Sequence, residues 1–254
     1  MKKSVLHSKP VVTVLVGLLL LVLWHIAAKI INAPVILPSP WETYQVLKSD
    51  FVSLVFWEHI GTTFLRSITA FFITVVLGFL LGTLAGISVF FDNFLALPLS
   101  IVKATPVVSF ILLAVFWFGT FFVPVFVAVL MSLPVMISAV KTGINNTDKN
   151  LLDFGKVFGL SYWSLLQHIY IPSCVPYFFS GAVSAFGLSW KVVAAGEVLA
   201  LPTRAAGTLL QTAKVHIETA QVFAVTIVLI VICFIVEASL NFVLHSSKIF
   251  GWEK

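Results

Sequence analysis

Residues Asp148–Pro172 read DKNLLDFGKVFGLSYWSLLQHIYIP. They are the one long polar, helix-forming insert in an otherwise almost wholly apolar chain, so their placement decides how the rest must fold. Leu151, Phe154, Phe158, Tyr162, Leu165 and Ile169 recur at steps of three or four, which puts them on one helical face. Thr147 and Ser161 suit N-cap positions, and Gly159 suits the left-handed position that ends a helix. The pattern predicts a short helix, a break at Gly159–Leu160 and a second short helix, stopped by Pro172 and Pro176. Such an amphipathic hairpin is expected outside a membrane, with its apolar face turned to a partner protein.

The surrounding composition makes the membrane necessary. Of 254 residues, 60% are hydrophobic and 10% charged, and the mean hydropathy is +1.10. A helical membrane protein needs that much apolar sequence and a water-soluble domain does not. The net charge of +5 does not point to nucleic acid, because the lysines sit at segment ends and form no stripe among exposed aromatics. Cys174 and Cys233 both lie in apolar runs, with no metal-ligand spacing and little prospect of a disulfide.

Six spans are expected, near residues 11–31, 61–91, 98–118, 123–141, 176–199 and 222–244, in a single transmembrane domain over residues 1–254. The first follows Lys2, Lys3 and Lys9 and is longer than the apolar core of a cleaved signal, so it reads as an uncleaved span. Asp92–Asn93 and Gly119–Thr120 read as tight turns. Pro34, Pro38 and Pro40 interrupt the stretch after span one. Trp41–Asp50 then reads either as a short interfacial helix or as a plain loop. Lys141, Lys149, Lys156, Lys248 and Lys254 join the N-terminal lysines on one side. Lys29, Lys48, Arg204 and Lys214 fall on the other. This modest excess predicts cytoplasmic termini and a cytoplasmic hairpin.

The hairpin resembles the EAA loop of ABC-importer permeases. Asp153 stands at the acidic position, and Gly159, Ile169, Ile171 and Pro172 fall at the matching spacings. Phe154 and Gly155 replace the two alanines. Further stretches resemble the nitrate/sulfonate/taurine branch of that family: LPSP at Leu37–Pro40, GTTFLRSITAFF at Gly61–Phe72, KATPVVSFILLAVFWFG at Lys103–Gly119 and SWKVVAAGEVLA at Ser189–Ala200. The resemblance implies an all-α, type I ABC-importer permease fold in the bacterial cytoplasmic (inner) membrane. It also implies a homodimer, two ABC ATPase subunits and an extracytoplasmic substrate-binding protein. Asp153, Gly155, Phe158, Gly159, Leu160 and Ser161 would form the ATPase dock. The expected substrate is a small molecule such as a sulfonate, taurine, nitrate or a vitamin precursor.

No G-x-x-x-x-G-K-[ST] is present, so ATP and its magnesium are assigned to the partner subunit and the chain itself is not an enzyme. Neither a metal cluster nor a Ser/His/Asp set is recognisable. Ionisable residues inside spans are the remaining signal, because a charge there needs protein or water around it. Lys191 lies nearest the middle of its span and, with Ser189 and Glu197, is the candidate for the pathway; an ion pair with Glu237 is the structural alternative. Arg66 and Lys103 are expected to snorkel. Gly78, Gly82 and Gly86, and likewise Gly181, Ala185 and Ser189, form small-residue ridges for close helix packing. A stand-alone secondary transporter or channel is the rival reading, and would show inverted repeats or broken mid-membrane helices. Neither is evident in the sequence.

Overall fold

The computed structural model describes residues 9–249, and every regular element among them is helical. In chain order these are α1 (Lys9–Ile31), α2 (Pro40–Val52), α3 (Leu54–Ile87), α4 (Val89–Ala104), α5 (Val107–Trp117) and α6 (Val123–Asn145). They continue with α7 (Lys149–Val157), α8 (Tyr162–Leu165), a π turn (Leu166–Tyr170), α9 (Ile171–Ala200), α10 (Ala206–Val215) and α11 (Thr219–Ile249). Five helical runs are long and apolar enough to cross a membrane: Val11–Ile31, Leu54–Ile87, Val123–Asn145, Tyr162–Ala200 and Thr219–Phe242. The charges expected at the chain ends, Lys2, Lys3 and Lys254, lie outside the described residues.

The third expected span, 98–118, is not one helix. α4 and α5 meet at a bend of 102°. Thr105 precedes Pro106 and is held extended at ψ 132°, because the proline ring crowds a helical residue before it. Pro106, itself extended, starts α5, and its missing N–H removes a link that a continuous helix would need. The second span is also displaced. It begins at Leu54 and ends at Ile87, where Ser88 turns extended. Asp92 and Asn93 are therefore not a turn but lie near the start of α4, where the Asp92 carboxylate suits the positive end of the helix dipole. Asp92 also pairs with Lys141 on α6.

α6 lies between α3 and α9 and carries the core. Gly78, Gly82 and Gly86 face Met136, Val140 and Ile144, so two rows of residues spaced by four run against each other. A Cβ on Gly82 would lie 2.7 Å from Val140 Cβ and 3.0 Å from the Ile137 carbonyl oxygen; only glycine permits this backbone approach. On the other face of α6, Gly181 packs on Ala139, and Gly143 abuts Cys174 and Tyr177. Ala185 and Ser189 are fully buried on the same ridge. The buried hydroxyls of Thr74 and Ser132 hydrogen-bond at 2.8 Å between α3 and α6, which satisfies both in an apolar surrounding.

Of the two readings of residues 41–50, the helix is the one found. Ser39 and Glu42 close a reciprocal capping box at its start, with Pro40 in the first turn. α2 then packs against α11, where Gln221 Nε2 donates to Asp50 Oδ2 at 2.7 Å. Trp24 ties α1 to this layer through Pro38 O at 2.9 Å and by stacking on Phe223.

Candidate functional site

The hairpin between α6 and α9 is built in part as its pattern predicts. α7 ends at Val157, Gly159 takes φ +66°, and Ser161 caps α8 by accepting from Ser164 N at 3.2 Å. Gly155 is buried where α7 folds back on Leu165, Leu160 and Ile169; a side chain there would force those groups aside. Thr147 is not the cap of α7. Its Oγ1 is buried without a hydrogen-bond partner, and the Asp148 carboxylate accepts from Asn150 N instead.

The second arm does not stop at Pro172. Tyr162–Ala200 is one helical run of 39 residues. A proline ring clashes with the carbonyl four residues back, here His168, and that carbonyl lies in the wide π turn Leu166–Tyr170, which relieves the clash. Pro172 then follows directly after this widened turn, and Pro176 lies inside the helix. The free hairpin is thus shorter than expected.

Its outer face is apolar and bare. The Phe154 and Phe158 rings pack at a tilt of 37° with centroids 4.3 Å apart, yet Phe158 is 67% and Trp163 71% exposed. Asp153, Leu160 and Ser161 are exposed beside them.

Two charged sites lie within the helical bundle. The first joins α3 to α9. Arg66 Nη1 donates to Glu197 Oε1 at 2.8 Å and to the Arg204 carbonyl at 2.9 Å. Glu197 Oε2 accepts from Thr63 Oγ1 at 2.7 Å and from Gly207 N at 3.2 Å. The Arg66 guanidinium lies 5.0 Å from the Phe121 ring centroid. Both charged side chains are buried, so Arg66 does not snorkel, and Glu197 faces protein on α3 and α10 rather than an open passage. Ser189 is also fully buried, with its Oγ unpartnered, and faces no passage in the single subunit. Arg66 and Glu197 are 131 residues apart, and no local spacing announces their pairing.

The second site contains Lys191. It lies on a different face of α9 from Glu197, exposed on the single subunit, beside a cavity of about 440 Å3 between α9 and α11. Glu237 lines the same cavity. No ion pair joins it to Lys191 among the described residues. Among those residues, too, no three His, Cys, Asp or Glu side chains converge as metal ligands would.

The polar hairpin thus interrupts a membrane-spanning bundle between the third and fourth of its five long apolar runs, an arrangement matched by a known family of transport subunits. Residues 74–246 match the family model described as binding-protein-dependent transport system inner membrane component, and the chain belongs to that family. The taurine transport system permease protein of Escherichia coli (strain K12) is 25% identical over 232 residues, covering 89% of this chain and 84% of the relative. The formylaminopyrimidine transport permease protein of Halalkalibacterium halodurans is 28% identical over 206 residues, covering 78% of each. An amino acid ABC transporter solved with histidines shares the fold at a TM-score of 0.62 and 16% identity, covering 79% of this chain and 95% of that one. Inward-facing structures of the MetNI methionine ABC transporter match at a TM-score of 0.62 and 12% identity, covering 75% and 93%.

The protein is accordingly an integral membrane permease subunit of an ABC importer, with the type I fold. ATP use falls to a partner ATPase, and a binding protein completes the system. The bend between α4 and α5, a feature expected of secondary transporters, therefore occurs here in an ABC permease.

Proposed function

We propose that this chain, paired with a second copy of itself, forms the passage through which a small anionic or zwitterionic solute enters a bacterial cell across the cytoplasmic membrane. A binding protein presents the solute on the outer side, and two ABC ATPases sit beneath the hairpin. Relatives named for transport of taurine, aliphatic sulfonates and nitrate support the substrate class. The lysine distribution supports cytoplasmic termini.

The observation that carries the proposal is the bare aromatic face of the hairpin. Phe154, Phe158, Tyr162 and Trp163 are exposed on the polar insert itself, where water would otherwise surround them. An apolar patch of this kind marks a protein contact. ATP can shift the permease between states only through a contact that differs between them, and docking on this face would supply one.

The test is co-purification of the cognate ABC ATPase with tagged permease. Phe158→Asp should reduce ATPase capture at least tenfold while the permease stays folded in detergent. Retention of the ATPase at the wild-type ratio would move the dock elsewhere. The mass of the intact complex reports the two-permease stoichiometry directly.

A further inference from the structure

The cavity between α9 and α11 carries opposite charges on facing helices. Lys191 projects from α9, and Glu237 projects from α11. The Glu237 carboxylate approaches the bare backbone of Gly187, where a Cβ would lie 2.5 Å from Oε1. Gly187 and Lys191 are four residues apart on α9, about 6 Å along the helix axis. The carboxylate and the base of the lysine stem are therefore held about one helical turn apart. Cys233 Sγ lies 3.6 Å from Glu237 Oε1, and Thr226 adds a hydroxyl to a lining that is otherwise mainly apolar. The volume of about 440 Å3 is in the range of small-molecule sites.

Neither charge is spent on the other, since no ion pair joins them among the described residues. A lysine exposed this deep in a span requires water, protein or a ligand as its surroundings and is unsuited to acyl chains. A simple anion seated at Lys191 would meet repulsion from Glu237. A molecule that adds an ammonium group a few Å from its anionic group turns that repulsion into attraction.

The geometry points to this cavity as a subsite for a small zwitterion, with the sulfonate or carboxylate on Lys191 and the ammonium on Glu237. Trp190 and the apolar lining would enclose the short carbon linker. The assignment rests on the importer reading and narrows its substrate class: an amino-bearing sulfonate or carboxylate fits the two charges, and nitrate does not.

Cys233 is a built-in reporter. The intact importer in lipid nanodiscs would be treated with N-ethylmaleimide and the rate of alkylation at Cys233 followed by peptide mass spectrometry. Taurine and β-alanine are the zwitterionic probes; ethanesulfonate and propionate are their counterparts without the ammonium. The zwitterions should slow alkylation at concentrations at least tenfold lower than the matched anions. Glu237→Gln should bring each pair within about threefold, because a tenfold preference corresponds to one lost charge contact of about 1.4 kcal/mol. Gly187→Ala, whose methyl group displaces the carboxylate, should do the same without removing it. Equal protection by anion and zwitterion in the wild type would overturn the proposal. So would an absence of protection, or a Cys233 that does not react at all. The labelling needs no ATP, so its failure is distinct from a failure of the wild-type permease to capture an ATPase, which would instead sink the importer assembly.

Discussion

Removing Arg66 is expected to unlock the joint between α3 and α9. Its guanidinium stands 2.8 Å from the Glu197 carboxylate, with both side chains buried. At an effective dielectric of about 20, two unit charges at that separation attract by about 6 kcal/mol. Desolvation of both groups offsets much of this, so the pair itself adds little net stability. Its disruption is another matter. Arg66→Met leaves Glu197 buried with only Thr63 and Gly207 as donors, a situation that costs about 3–5 kcal/mol. Glu197→Gln leaves Arg66 in the converse position. The double variant removes both charges and should recover part of the loss, with a coupling energy of about 1–3 kcal/mol. Thermal unfolding of the purified permease in detergent reads all four proteins. Each single variant should melt about 10 °C lower, on the relation that holds for chains of this size. Single variants that melt within about 2 °C of wild type, or a double variant whose loss is the sum of the two, would refute the buried-joint reasoning. A Glu197→Gln permease that is fully stable but altered in substrate preference would return Glu197 to the pathway.

Gly82→Leu should lower the melting temperature of the complex, because its Cβ would press on Val140 and on the Ile137 carbonyl oxygen; overpacking of this kind costs about 1–3 kcal/mol. An unchanged melting curve would mean that α3 and α6 do not meet there. Gly159→Pro is incompatible with φ +66° and should abolish ATPase-coupled uptake while leaving the spanning helices intact by circular dichroism; normal uptake would refute the hairpin geometry. Burial against α11 pushes the Asp50 carboxyl above its ordinary range, with the Gln221 hydrogen bond working against the shift. Its folded form thus binds a proton more tightly than the unfolded chain, and stability falls as pH rises through the raised value. Asp50→Asn should therefore melt higher than wild type at neutral pH, with the gain vanishing below about pH 3.8, the unperturbed value; a gain independent of pH would refute the assignment.

The sequence is most informative where chemistry is local. Gly159 at positive φ and Ser161 as a cap follow from residue type and position, and both are found. The glycine row in α3 announces a close approach, although only the structure names Met136, Val140 and Ile144 as its partners. The α4–α5 bend was open to the same local reasoning. Pro106 forces Thr105 out of the helical region, but a long apolar run on both sides favours one unbroken span. Conversely, Pro172 and Pro176 look like a stop, and a π turn upstream lets the helix pass. Hydrophobic periodicity does not encode such a widening. The Arg66–Glu197 joint is of a different kind: its members come together only when α3 and α9 pack, so each charge in isolation reads as an interfacial or a pathway residue. The two charges near Lys191 were separately visible, but not the Gly187 surface that seats the Glu237 carboxylate.

The helical run Tyr162–Ala200 has a mechanical consequence. At 39 residues it is about 58 Å long, nearly twice the thickness of a bilayer's hydrocarbon core. Its two soft places, the π turn and Pro176, both lie near the hairpin end, so bending is concentrated there. The stretch from Tyr177 onward behaves as a stiff rod, clamped at its far end through Glu197 to α3 and α10. A push delivered at Phe158 is then partly absorbed in the first turns and partly carried as a tilt of the whole rod. A tilt of about 10° over the remaining 36 Å would displace one end relative to the other by about 6 Å. Stiffening the soft end would sharpen that transmission, and loosening the clamp would waste it.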